Sequence, residues 1–108
     1  DGRLIVIFQP HRYSRTKAFA AVFAAVLDAA DRAIVLEVYA ASEKPIDGVT
    51  SKLITSKMKK GEYIPNFVEV TDSAIAMAQP GDVIMTLGAG DVSSLAPIIV
   101  DGLNRRFA

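Results

Sequence analysis

Cysteine is absent from the chain and histidine occurs once in 108 residues. No disulfide, thiolate metal site or cysteine nucleophile is available. A single imidazole cannot build a His-rich metal site or the two-His pair of a zinc enzyme, so no metal ligands are expected. An excess of one charge is also missing. Twelve Lys+Arg balance 12 Asp+Glu, which argues against a globally basic nucleic-acid binder and against an acidic tail. No apolar run approaches the ~18–20 residues that span a bilayer. The first residues lack the charged start, apolar stretch and small-residue site of a signal peptide. What is abundant is apolar: 51% hydrophobic against 22% charged residues, a balance that excludes disorder. The expectation is one soluble, intracellular α/β domain over residues 1–108.

Short β-branched runs alternate with helical patterns. Leu4 to Phe8 reads as a strand buried on both faces, ended by Gln9-Pro10. Ser14 or Thr16 is the expected cap of a helix whose core face would be Phe19, Val22, Phe23, Val26, Leu27 and Ala30. Ala33 to Tyr39 reads as a second strand. Thr50 or Ser51 would start a short helix through about Lys60, stopped by Gly61. A third strand is expected at Phe67 to Val70, then a helix from Thr71 or Asp72 through Ala78. Val83 to Leu87 reads as a fourth strand. A last helix bears Leu95, Ile98, Ile99 and Leu103, with Pro97 in its first turn. The order β-α-β-α-β-α-β-α predicts a Rossmann-like fold, a mainly parallel sheet flanked by helices.

In such sheets ligands bind beyond the carboxyl ends of the strands. The loop His11-Arg12-Tyr13-Ser14-Arg15-Thr16 lies there, at a helix start. Arginine forks match carboxylates and phosphates bidentately, yet a helix N-terminus repels cations. A bound anion would resolve that conflict. His11, Arg12 and Arg15 are therefore candidate anion ligands, with surface hydrogen bonding as the equal alternative, and Tyr13 is read as packing. The lysines at 52, 57, 59 and 60 read as a solvated face. Gly88-Ala89-Gly90-Asp91 follows a strand and opens a helix, but Ser93 stands where a dinucleotide fingerprint has its third glycine. It reads as a tight turn or as a loop lining the same crevice. No phosphate-cradling P-loop, G-x-S-x-G elbow or H-E-x-x-H motif occurs. Asp28, Asp31, Glu37 and Glu43 show no pairing and read as solvated charges. No catalytic residue is assigned in this chain.

The block Phe8-Gln9-Pro10-His11-Arg12-Tyr13-Ser14-Arg15-Thr16 resembles the C-terminal domain of the Mur ligases. Leu36-Glu37-Val38-Tyr39, Pro45-Ile46-Asp47-Gly48-Val49 and the stretch from Gly81 to Asp91 agree in order and spacing. Within that family the block is most similar to members that join L-alanine to UDP-N-acetylmuramate in peptidoglycan synthesis. Ala40-Ala41-Ser42-Glu43 departs somewhat from the family's Gly-containing loop. The resemblance implies a bacterial, cytoplasmic, three-domain enzyme of which two upstream domains are absent here, so Asp1 would not be a natural start. ATP and Mg²⁺ would be bound mainly by the missing central domain. ATP would convert the sugar's lactyl carboxylate to an acyl phosphate, which the amine of L-alanine attacks. His11, Arg12 and Arg15 would hold the alanine carboxylate, and the isolated chain would be inactive. The implied partners are L-alanine, UDP-N-acetylmuramate and the other two domains, with no nucleic acid and no membrane. The alternatives are a free-standing module binding a nucleotide or phosphorylated ligand through Gly88 to Ser93, or the same domain of another Mur-type amino-acid ligase.

Overall fold

A computed structural model describes residues 2–88 and 91–108. Four strands form one sheet: β1 (Leu4–Gln9), β2 (Arg32–Val35), β3 (Gly61–Tyr63) and β4 (Val83–Gly88). Their spatial order is β3-β2-β1-β4, and all pairs are parallel. The helices are α1 (Tyr13–Leu27), α2 (Lys52–Thr55), α3 (Phe67–Met77) and α4 (Leu95–Arg106), with a 3-10 turn at Asp91–Ser94. The Rossmann-like α/β expectation holds. The chain runs outward from β1 through β2 to β3, then returns to the other side of β1 for β4. The direction therefore reverses between β1 and β4, which is where open α/β sheets form a ligand crevice.

The strand alternation divides the core in two. Val6, Ala33 and Val35 face α1 and α2, packing with Ala20, Ala24, Leu27 and Ile54. Ile7, Ile34 and Leu36 face α3 and α4, packing with Val70, Ala74, Val92, Leu95 and Ile99. With a helix layer on each face, β1 and β2 are apolar on both sides, as continuous apolar runs require.

Several sequence expectations are corrected. The buried face of α1 is Thr16, Ala20, Ala24 and Leu27, whereas Phe19, Val22 and Val26 are exposed. Alanines at the contact let the helix lie close to Val6 and Val35, an approach that larger side chains would block. Phe23 is half-buried, its ring 5.2 Å from Phe8. Neither Ser14 nor Thr16 caps α1. Its N-cap is Arg12, without a side-chain cap bond. β2 ends at Val35 instead of Tyr39, leaving a single bridge between His11 and Tyr39. α2 has only four residues, and Gly61 opens β3 instead of stopping a helix. Phe67 to Val70 is the first turn of α3 and not a strand. Asn66 caps it, its side chain accepting from the N–H groups of Val68 and Glu69, which satisfies two orphan donors. Ile98 is exposed, while Leu95 and Ile99 are buried. Pro97 does fall in the first turn of α4.

β4 pairs only with β1 among the described residues. Val83, Met85 and Leu87 on its α1-side face are exposed. Its start is tied to that of β1 by one carboxylate. Asp82 accepts from the Arg3 backbone at 3.0 Å, the Arg3 guanidinium at 2.8 Å and the Gln79 N–H at 2.9 Å. The Arg3 guanidinium, first among these donors, holds the Asp82 carboxyl well below the usual carboxylate range.

Two outcomes follow from this packing. Ala24→Leu should overpack the α1–sheet contact and destabilise the chain by about 1–3 kcal/mol, while Val22→Ser should change stability by less than about 0.5 kcal/mol. Urea midpoints of the two variants check this, and the opposite ranking would mean the other face of α1 is the buried one. The unfolded chain binds a proton at Asp82 more readily than the folded one does. The stability from this carboxylate is thus complete above about pH 4 and is lost as pH falls below that. Asp82→Asn should flatten the acid side of a stability–pH curve, and an unchanged acid side would contradict the Arg3–Asp82 tie.

Candidate functional site

The carboxyl end of β1 continues as Gln9-Pro10-His11-Arg12 and is locked against the segment that follows β2. The Tyr39 N–H donates to the Pro10 carbonyl at 2.8 Å, and the Arg12 N–H donates to the Tyr39 carbonyl at 2.7 Å. The His11 ring stacks on the Tyr39 ring at 5.8 Å. Between these bonds and the start of α1, the backbone of Arg12 is forced to φ 69°, ψ 142°. That region is populated almost only by glycine and costs an arginine about 1–3 kcal/mol. The Thr16 N–H and hydroxyl both donate to the Arg12 carbonyl, at 3.1 and 2.8 Å, and hold the strained peptide in place. Backbone strain of this kind collects at functional sites.

The three predicted anion ligands are brought to one loop. His11 is half-buried and Arg12 and Arg15 are exposed. The Arg15 side chain has no hydrogen-bond or ion-pair partner among the described residues. Tyr13 is half-buried, in keeping with packing.

The anion at the start of α1 is supplied by the chain itself. Glu43 accepts from the Ser14 N–H at 2.9 Å and from the Ser14 hydroxyl at 2.6 Å. Its Oε2 lies 3.7 Å from Arg12 Nε. The Ser14 hydroxyl, then the Ser14 N–H, keep this carboxyl below its ordinary range, with the Arg12 charge adding to the effect. Glu43 reaches this position through a turn in which Ala41 and Ser42 have φ of 50° and 69°. The reading of Glu43 as a solvated charge is therefore corrected; Glu37 and Asp28 also have partners, and Asp31 stays exposed while accepting one hydrogen bond. Glu37 accepts from the Val38 and Ser51 N–H groups and from the Tyr63 hydroxyl, which pushes the Tyr63 phenol up to about 12. Asp31 accepts from the Leu4 N–H, and Asp28 from the Lys59 N–H. The sequence signal missed was the small pair Ala41-Ser42 just before an acidic residue. Side chains that tolerate a tight turn stand there in place of glycine.

β4 ends beside the loop that leaves β1. Gln9 and Gly88 are register partners. Gly88 has φ 131°, and a Cβ there would sit 2.4 Å from the Gln9 carbonyl oxygen, so glycine is required both by conformation and by close approach. Ala89 and Gly90 of the predicted crevice loop lie outside the described residues, and Asp91 opens the 3-10 turn. Gln9 is buried. Its amide Nε2 donates to the Glu37 carbonyl at 3.3 Å, while Oε1 has no partner among the described residues. The exposed lysines 52, 57, 59 and 60 behave as a solvated face, with Lys52 over the Tyr63 ring.

No three His, Cys, Asp or Glu side chains converge among the described residues, and no P-loop occurs in the sequence. No residue is assigned to a magnesium–nucleotide site. No helix among the described residues is long and apolar enough to cross a membrane.

Comparison with known proteins agrees with this arrangement. The chain is 50% identical over 107 residues to a UDP-N-acetylmuramate–L-alanine ligase of Mycobacterium ulcerans, covering 98% of this chain and 22% of that protein. It is 48% identical over 104 residues to the ligase of the same name from Thermobifida fusca, covering 94% and 22%. The chain thus spans about a fifth of the length of these relatives. Among solved structures, the UDP-N-acetylmuramate–alanine ligase of Thermotoga maritima superposes with a TM-score of 0.65 at 24% identity, over 98% of this chain and 21% of that one, a likeness of fold. Residues 1–90 match the profile of the family described as Mur ligase, glutamate ligase domain. On the match over most of its length, the strand order and the loop that leaves β1, this chain belongs to the Mur ligase family, as its glutamate ligase domain.

Proposed function

We propose that the chain is the amino-acid-binding domain of a cytoplasmic, ATP-dependent ligase that joins L-alanine to UDP-N-acetylmuramate in peptidoglycan synthesis. The observation that carries this reading is Arg12. It is held in a glycine-like conformation beyond the carboxyl end of β1, with His11 beside it and Arg15, which has no partner among the described residues, in the same loop. Two guanidiniums there suit the carboxylate of a small amino acid, and His11 adds a hydrogen-bond donor. The 50% identity to an alanine-adding ligase supports alanine as that amino acid. ATP and Mg²⁺ fall to the remaining four-fifths of the relatives' length, together with the sugar nucleotide. In this reading the domain brings the amino acid to an acyl phosphate formed on the other domains. Its loops orient the amine and keep water from the hydrolysable intermediate. Gly88, at the end of β4, stands on the facing side.

The test is steady-state kinetics of the ligase that carries this domain, with alanine and ATP varied separately. A charge-assisted hydrogen bond contributes about 1.5–3 kcal/mol. Arg12→Ala or Arg15→Ala should therefore lower kcat/KM for alanine by about 10- to 150-fold, with the KM for ATP unchanged. His11→Ala should cost less. Arginine variants that raised the KM for ATP and spared alanine would make the loop a nucleotide site. The strained backbone gives a second outcome. Arg12→Gly loses the same side chain as Arg12→Ala but relieves the positive φ. It should be more stable than Arg12→Ala by about 1–3 kcal/mol while being equally poor with alanine, and equal denaturation midpoints would show that the Arg12 backbone is not strained.

A further inference from the structure

Glu43 stands 3.7 Å from the guanidinium proposed to hold the substrate carboxylate. For a site that binds a plain anion this is a poor arrangement, because a fixed carboxylate beside the arginine repels the ligand. For an α-amino acid it is complementary. The ligand's own carboxylate and ammonium are separated by one carbon, and a neighbouring anion and cation offset both charges. We propose that Glu43 receives the ammonium group of the incoming amino acid, so that Arg12 and Glu43 together recognise the zwitterion. This inference rests on the amino-acid reading given above.

Three features of the geometry support it. The Arg12–Glu43 separation exceeds hydrogen-bond length, so the two charges are adjacent without sharing a proton. Two of the four or so lone-pair sites of the Glu43 carboxylate are taken by Ser14, which leaves acceptor capacity for an ammonium. Its side chain keeps 17% exposure and that of Arg12 46%, so both groups are fixed by the fold and still open to a ligand. The turn that delivers Glu43 places two successive non-glycine residues, Ala41 and Ser42, at positive φ. Its Glu43 N–H closes back on the Ala40 carbonyl at 3.0 Å.

The ligand class that follows is a zwitterionic α-amino acid. Inorganic phosphate and simple carboxylates are disfavoured by the same carboxylate that welcomes the ammonium. A phosphorylated ligand, as a free-standing module would take, is disfavoured with them.

The experiment compares L-alanine with propionate, which has the carboxylate and lacks the ammonium. In the ligase that carries this domain, the KM for alanine and the inhibition constant of propionate competing with alanine are measured for wild type, Glu43→Gln, Glu43→Asp and Arg12→Ala. Glu43→Gln keeps an acceptor for Ser14 but removes the charge. It should raise the KM for alanine by about 10- to 150-fold and leave propionate inhibition unchanged or stronger. Glu43→Asp, which keeps the charge on a shorter arm, should recover part of the alanine affinity and serves as the second reading if Glu43→Gln fails to fold. If Glu43→Gln, or Glu43→Asp in its place, weakens alanine and propionate in parallel, Glu43 only supports the loop and the proposal is overturned. Arg12→Ala should weaken both ligands. If it spares both, the carboxylate reading of the loop fails, a result distinct from failure at Glu43.

Discussion

The carboxyl end of the sheet is organised by the pair of backbone hydrogen bonds that tie Pro10 and Arg12 to Tyr39. They extend the parallel contact of β1 and β2 past the last ladder residues and across a proline, which has no N–H of its own to give. With both ends of the Pro10–Arg12 segment fastened and α1 beginning at Tyr13, the chain must turn at Arg12, and only a positive φ makes the turn. The direction of α1, the stacking of His11 on Tyr39 and the course of the segment leading to Glu43 all depend on this clamp. Pro10 itself is fully buried, so the clamp also holds one side chain of this segment in the interior.

The crevice also depends on asymmetry in the sheet. β1 has a ladder on each side, and the two loops nearest its carboxyl end come from strands whose helices lie on opposite faces, α1 on one and α4 on the other. In open α/β sheets a reversal of this kind leaves a crevice outside the strand ends. Gly88 sets how narrowly the two strands meet at that point, because its missing Cβ lets the β4 backbone sit against the Gln9 carbonyl.

The alternation of strands and helices was legible in the sequence because short β-branched runs separated by helical patterns have few other solutions. The arginine loop was legible because its residue types are costly at a helix start. Other features depend on tertiary context. The periodicity of α1 is satisfied by either of two neighbouring stripes, one of Phe and Val and one of Ala. Which stripe is buried depends on how close the sheet lies, a distance absent from the sequence. Phe67-Val68-Glu69-Val70 has strand-like composition, but Asn66 before it is a strong helix start, and local capping outweighed β propensity there. Glu43 lies 29 residues from Ser14, so its role at the loop could not be read from local pattern.

The position of β4 has a consequence for how the chain comes together as it is made. β1 is one of the two inner strands in space and the first in sequence, whereas its partner β4 arrives nearly eighty residues later, as the Arg3–Asp82 separation of 79 records. At ribosomal rates of about 5–20 residues per second, one flank of β1 waits about 4–16 s for its ladder. During that interval β1, β2 and β3 with α1 and α2 can assemble by short closures, but Ile7 and Ile34 lack the α4 half of their cover. A nascent chain has its arginine loop emerging long before the end of β4 that comes to lie beside it.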